Sequence, residues 1–157
     1  MASELLFDLA GIDLNAVHAS VDEIGRINPQ SGHMRHLDHV IWAAPDYTAA
    51  LGVKQVRDDE FWVPGHIPGR PLLPGVLMIE AAAQLSSYLY KMRSGESRFL
   101  GFTHCDDSVF RGQVVPGDRL LLLVREIHFG RRRFSCRGQG LVGERLVFET
   151  SVTGMVL

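Results

Sequence analysis

The stretch Gly65-His66-Ile67-Pro68-Gly69-Arg70-Pro71-Leu72-Leu73-Pro74-Gly75-Val76-Leu77-Met78-Ile79-Glu80-Ala81-Ala82-Ala83-Gln84 sets a histidine in a Pro/Gly loop and a glutamate, fourteen residues later, on an apolar helix. Four prolines and two glycines between Pro64 and Pro74 make the loop stiff and poor in backbone donors. Pro74 suits the first turn of a helix, where a missing N–H costs little. The helix predicted from about Pro74 to Lys91 is apolar on nearly every side, through Val76, Leu77, Met78, Ile79, Ala81, Ala82, Ala83, Leu85, Tyr88 and Leu89, and Ser94-Gly95 ends it. Such a helix must be surrounded by protein. A carboxylate on it is costly unless protonated, paired or used, so His66 and Glu80 outline an acid/base site.

Outward from this helix the chain reads as strands. Downstream, Phe99–His104, Val109–Val115, Asp118–Phe129, Arg132–Val142 and Arg145–Val156 are β-rich, with turns at Pro116-Gly117, Gly130-Arg131 and Gly143-Glu144. Upstream, His36–Ala43 and Gly52–Asp58 flank a turn at Pro45-Asp46-Tyr47. Within residues 4–27, Leu14, Val17, Val21 and Ile24 have helical spacing with Asp13 or Asn15 as a cap, and Asn28-Pro29-Gln30-Ser31-Gly32 breaks that helix. The expected architecture is α+β, a curved antiparallel sheet wrapped around one long central helix. Residues 1–157 form one domain in this reading, with 1–30 as an N-terminal helical extension.

Bulk properties agree and exclude alternatives. The 157 residues are 46% hydrophobic and 22% charged, which is globular and fits a single core. A net charge of −2 offers no overall pull toward nucleic acid or anionic membrane. Leu72–Leu85, the longest apolar-rich run, is well short of the roughly 20 residues needed to span a bilayer. Met1-Ala2-Ser3-Glu4 lacks a basic leader, and Cys105 and Cys136 stand without a CxxC, so a cytoplasmic, reduced protein is expected.

The residues resemble the (3R)-hydroxyacyl-[acyl carrier protein] dehydratases of type II fatty acid synthesis, whose fold is the hotdog. The similarity is densest at Phe61-Trp62-Val63-Pro64-Gly65-His66-Ile67-Pro68 and from Pro74-Gly75-Val76-Leu77 through Glu80-Ala81 to Gln84. It resumes at Phe110-Arg111-Gly112-Gln113-Val114-Val115-Pro116-Gly117-Asp118, with a weaker match at Leu37-Asp38-His39-Val40. Two departures stand out: Ile67 replaces the usual phenylalanine, and Asp106-Asp107-Ser108 lies where the family carries a basic residue. The resemblance implies a lyase that forms trans-2-enoyl thioesters on acyl carrier protein. It also implies no metal or organic cofactor, an apolar tunnel, and a homodimer whose sites take His66 from one subunit and Glu80 from the other. Assembly of such dimers into hexamers stays open.

Dehydrating a 3-hydroxyacyl thioester requires removal of a C2 proton and protonation of the departing C3 hydroxyl. An imidazole suits the first step, general-base help being worth about 10²–10⁴-fold. Glu80, on an apolar helix, suits the second, because desolvation disfavours a charged carboxylate. Backbone N–H groups at Gly75 and Val76 could hold the developing oxyanion, with Gly75 admitting the acyl chain closely. Val76, Glu80 and Gln84 share one helix face, so Gln84 could orient Glu80. A hotdog acyl thioesterase and a non-catalytic acyl-carrier-binding protein are the alternatives, and a variant that also isomerises the double bond ranks below them because its branch carries Asp in place of Glu80. His33-Met34-Arg35-His36-Leu37-Asp38-His39 has the wrong spacing for a metallo-β-lactamase site, and on a strand His36 and His39 would face opposite ways. Arg131-Arg132-Arg133 reads as a solvated turn or, with Arg70, Arg93 or Arg98, as a dock for an acidic carrier.

Overall fold

The computed structural model describes residues 4–157, so the first three residues of the expected extension lie outside the described part. The order is α1 (Val21–Ile27), β1 (His39–Ala43), β2 (Ala49–Gln55), α2 (Gly75–Ser94), β3 (Leu100–Phe110), β4 (Arg119–Phe129), β5 (Arg133–Val142) and β6 (Arg145–Val156). The strands form one six-stranded sheet in the order β1-β2-β4-β5-β6-β3, with every neighbour antiparallel. α2 packs against β2, β3, β4, β5 and β6, which is the expected wrapping of a sheet around one central helix. It begins one residue after Pro74, which lacks a side-chain cap, and ends at Gly95, whose left-handed φ of 71° closes the last turn. Among the described residues no helix is long and apolar enough to cross a membrane.

Strand β4 explains why both sheet faces are apolar. Leu120, Leu122 and Val124 point toward Ala81, Ala82, Leu85 and Leu89 of α2, while Leu121 and Leu123 point to the other side with Leu51 and Val53. A strand buried on both faces has no reason to alternate, hence the unbroken leucine run. The second face is covered by the N-terminal segment, through Leu6, Phe7, Leu9, Ile12 and Leu14. Gln139 on β5 pins that segment by accepting from the Leu6 amide at 2.9 Å and donating to the Glu4 carbonyl at 3.0 Å.

The helical extension expected over 1–30 is therefore corrected. Among the described residues of that segment, only Val21–Ile27 is helical, and residues 4–19 form a strap lying across the sheet. Its cap is neither Asp13 nor Asn15 but Ser20, whose hydroxyl accepts from the Glu23 amide while Glu23 accepts from the Ser20 amide at 2.7 Å. The apolar residues of the strap bury against a broad sheet face, which rewards an extended path over a helical stripe. A second difference concerns β3, where Phe99–His104 and Val109–Val115 were expected as separate strands. They run as one strand to Phe110, joined by an irregularity between Asp106 and Val109 where Asp107 takes a φ of 50°.

Candidate active site

His66 sits in a loop held almost wholly by backbone. Trp62 accepts from the Gly65 and His66 amides at 3.1 and 2.8 Å, and Ile67 and Arg70 exchange backbone bonds. The His66 ring is fixed from one side: Nδ1 lies 2.7 Å from the Leu72 carbonyl, and the Leu72 amide donates back to the His66 carbonyl at 2.8 Å. A carbonyl only accepts, so Nδ1 donates in this contact and Nε2 is left outside it. The His66 side chain is exposed. No sequence signal could have identified Leu72 as the orienting partner, because a backbone carbonyl has no residue type.

The loop's footing is a buried ion pair that sequence reading missed. Lys54 on β2, 1% exposed, donates to Glu60 at 2.6 Å, and the other Glu60 oxygen accepts from the Arg57 amide at 2.9 Å. Burial pushes the Glu60 carboxyl up, yet the Lys54 ammonium and the Arg57 amide outweigh it and hold it below its ordinary value. The Glu60 carbonyl in turn accepts from Val63, two residues before the turn that carries His66.

At the start of α2, neither Pro74 nor any acidic side chain caps the first turn, so the Gly75 and Val76 amides have no acceptor among the described residues. Val76 is 69% exposed. The space a side chain at Gly75 would need is taken by the Phe110 ring, 2.7–2.9 Å from the Cβ position, so the glycine admits Phe110 in the place expected for an acyl chain. The Phe110–Asp118 segment thus serves as a brace: Phe110 lies on Gly75, the Val114 carbonyl accepts from Leu73 at 2.8 Å, and Arg111 pairs with Glu149 at 2.6 Å.

Glu80 is half-buried and accepts from the Gln84 amide nitrogen at 2.9 Å. Gln84 also donates to the Met34 carbonyl at 2.7 Å and accepts from the His36 amide at 3.0 Å, so its amide can take only one orientation. Glu80, Gln84, Ala83 and Ser87 line a cavity of about 60 Å³ with Phe102, Phe134 and Gly154. His66, Gly75 and Val76 line a different, open groove with Phe110 and Gln113. One chain therefore unites His66 with the helix start and Glu80 with Gln84, but not the two halves with each other. Between the halves runs β3, an edge strand whose outer backbone has no strand partner among the described residues and whose Phe102 and Phe110 are 52% and 49% exposed.

The other sequence candidates part company. His36 is buried, His33 and His36 both pack on Phe61 with ring centroids 6.2 and 6.4 Å away, and Asp38 binds the Gln55 amide. Among the described residues no three His, Cys, Asp or Glu side chains are grouped to hold a metal ion. Cys136 is buried and its thiol is pushed up to about 12 by desolvation, while Cys105 is exposed beside Ser108. Arg98 and Arg93 are already paired with Glu96 and Glu126, whereas Arg131, Arg132 and Arg133 are exposed with no ion pair among the described residues.

Residues 28–151 match the FabA-like domain. The chain is 34% identical over 145 residues to the 3-hydroxyacyl-[acyl-carrier-protein] dehydratase FabZ of Agrobacterium fabrum, covering 88% of this chain and 90% of that protein. It is 35% identical over 140 residues to the bifunctional enzyme LpxC/FabZ of Porphyromonas gingivalis, covering 87% of this chain but only 30% of that longer protein. Among solved structures, the dehydratase heterocomplex ApeI:P of Xenorhabdus doucetiae superposes with a TM-score of 0.71 at 16% identity, covering 85% of this chain and 90% of that one, a likeness of fold.

Proposed function

The chain belongs to the FabA-like domain family and is a FabZ-type dehydratase of fatty acid biosynthesis, and we propose that it completes each active site from two copies of itself, acting on 3-hydroxyacyl groups delivered by acyl carrier protein. The observation that carries this reading is the division of the machinery: His66 and the uncapped helix start line one cavity, Glu80 and Gln84 another. The long unpaired edge β3, with its apolar side chains, is the surface that a second copy would extend by strand pairing.

In this scheme Nε2 of His66 removes the C2 proton, and the charge developing on the thioester oxygen is met by the Gly75 and Val76 amides and the positive end of α2. Glu80 of the other copy gives a proton to the C3 hydroxyl, which leaves as water while the C2–C3 double bond forms. Gln84 keeps the accepting Glu80 oxygen fixed and leaves the other free to face substrate. The exposed Arg131–Arg133 run, without an ion pair among the described residues, is a candidate dock for the acidic carrier. A reducing compartment such as the cytoplasm suits the exposed Cys105 thiol.

The test is hydration of a crotonyl or longer enoyl thioester by purified protein without added metal. His66→Ala and Glu80→Gln should each lower turnover by about 10²–10⁴-fold with unchanged circular dichroism. Wild-type-like rates in either variant would overturn the roles, and release of free thiol without hydration would mark a thioesterase instead.

A further inference from the structure

The cavity beside Glu80 has a direction and an end. On the helix side it is lined by Glu80, Ala83 and Ser87, which step along one face of α2 away from the helix start. Register on the sheet side agrees: Phe110 lies against Gly75 at the start of α2, while the cavity touches β3 only at Leu100, Gly101 and Phe102, toward its other end. There Phe102 and Phe134 both pair with Gly154, from opposite sides of β6. An acyl chain that meets Glu80 at C3 and passes into this cavity therefore runs toward Ser87 and Phe134.

Phe134 is placed to stop it. The ring is 4% exposed, stacks on Tyr90 at 4.5 Å with 18° between planes, and covers Gly154 so closely that a Cβ there would meet it at 2.5 Å. Tyr90 is fixed in turn by its hydroxyl, which lies 3.0 Å from both the Gly130 and Arg131 carbonyls. A ring clamped from below and from the side cannot swing away to lengthen the cavity, since interiors this dense resist displacement.

Building on the dehydratase reading, we infer that Phe134, backed by Tyr90, is the floor of the acyl pocket and restricts the enzyme to short and medium acyl chains. Ser87 lies seven residues beyond Glu80, roughly 10 Å along the helix. An extended chain advances about 1.2 Å per atom, a third of the backbone's rise per residue, so the run from Glu80 to Ser87 sets an upper limit of roughly eight chain atoms past the reacting carbons.

The experiment measures kcat/KM for crotonyl, octenoyl and dodecenoyl thioesters in the full chain and in two variants. The wild type should turn over the first two and discriminate against dodecenoyl. Phe134→Ala should raise the dodecenoyl-to-crotonyl ratio at least about tenfold, and Ser87→Leu should lower the octenoyl-to-crotonyl ratio by a similar factor, as expected for methylenes admitted to or shut out of an apolar pocket. Unchanged ratios in both variants, with an active wild type, would overturn the floor and leave the dehydratase reading standing. If Phe134→Ala fails to fold, the Ser87→Leu ratio decides alone. Thermal stabilisation by saturated acyl-pantetheine thioesters of increasing length supplies the same cut-off without turnover, so a wild type inactive on every thioester would count against the function and not against the pocket. A stabilisation that climbs evenly past dodecanoyl would overturn the floor.

Discussion

Two histidines show how surroundings decide what an imidazole can do. His66 stands exposed with Nδ1 tied to the Leu72 carbonyl and Nε2 outside that contact. His36 is buried with both ring nitrogens unpartnered, and desolvation, aided by the nearby Lys54 charge and opposed by Glu60, lowers it from 6.5 to about 4. The folded chain thus keeps His36 neutral while the unfolded chain takes up a proton as pH falls below about 6.5. Stability is complete above that pH and is lost progressively toward pH 4, by roughly 3 kcal/mol at most from this group. His36→Leu removes the proton uptake and two unpaired polar atoms, so it should be near-neutral or stabilising at pH 7 and flatten the decline between pH 6.5 and 4. Urea titrations of both proteins across that range check this. A parallel decline in the two would show that His36 does not set the slope.

At the scale of elements, the loop carrying His66 depends on strand β2 through Lys54 and Glu60. Removing one partner of a buried pair strands the other charge, so Lys54→Met should cost about 3–5 kcal/mol, whereas Lys54→Met with Glu60→Leu should recover most of it. Denaturation midpoints of the single and double variants measure the difference, and equal losses in both would refute the charge-stranding account. This pair also marks the limit of what sequence patterning carries. The apolar length of α2, its Pro and Gly punctuation and the β-rich run after it made the α+β wrap legible, because each rests on local periodicity. Lys54 beside Asp58-Asp59-Glu60 looks like ordinary surface charge, and only the long-range packing of β2 buries it. The strap failed for a related reason: Leu14, Val17, Val21 and Ile24 fit a helix, but the apolar outer side chains of β4 compete for the chain preceding Ser20 and win. His66, Glu80 and Gln84 were readable as types at a spacing, while Leu72's carbonyl and Phe110's hold on Gly75 were not.

At the scale of the whole molecule, the separation of His66 from Glu80 into two cavities makes a prediction about mixtures. If each site draws His66 from one copy and Glu80 from another, a dimer of His66→Ala with Glu80→Gln contains one site with both defects and one with neither. Two inactive proteins, unfolded together and refolded at equal concentration, should then regain about a quarter of wild-type turnover, since half the dimers are hybrids and each hybrid has one intact site. A site confined to one chain regains nothing on mixing. The same geometry requires that activity follow dimer formation, so a charge placed on the exposed edge, Phe102→Lys, should weaken association and lower turnover together as concentration falls. Sedimentation and initial rates on the same dilution series test the link. Full activity in a species that sediments as a single chain would place both halves of the site in one copy, despite the two separate cavities.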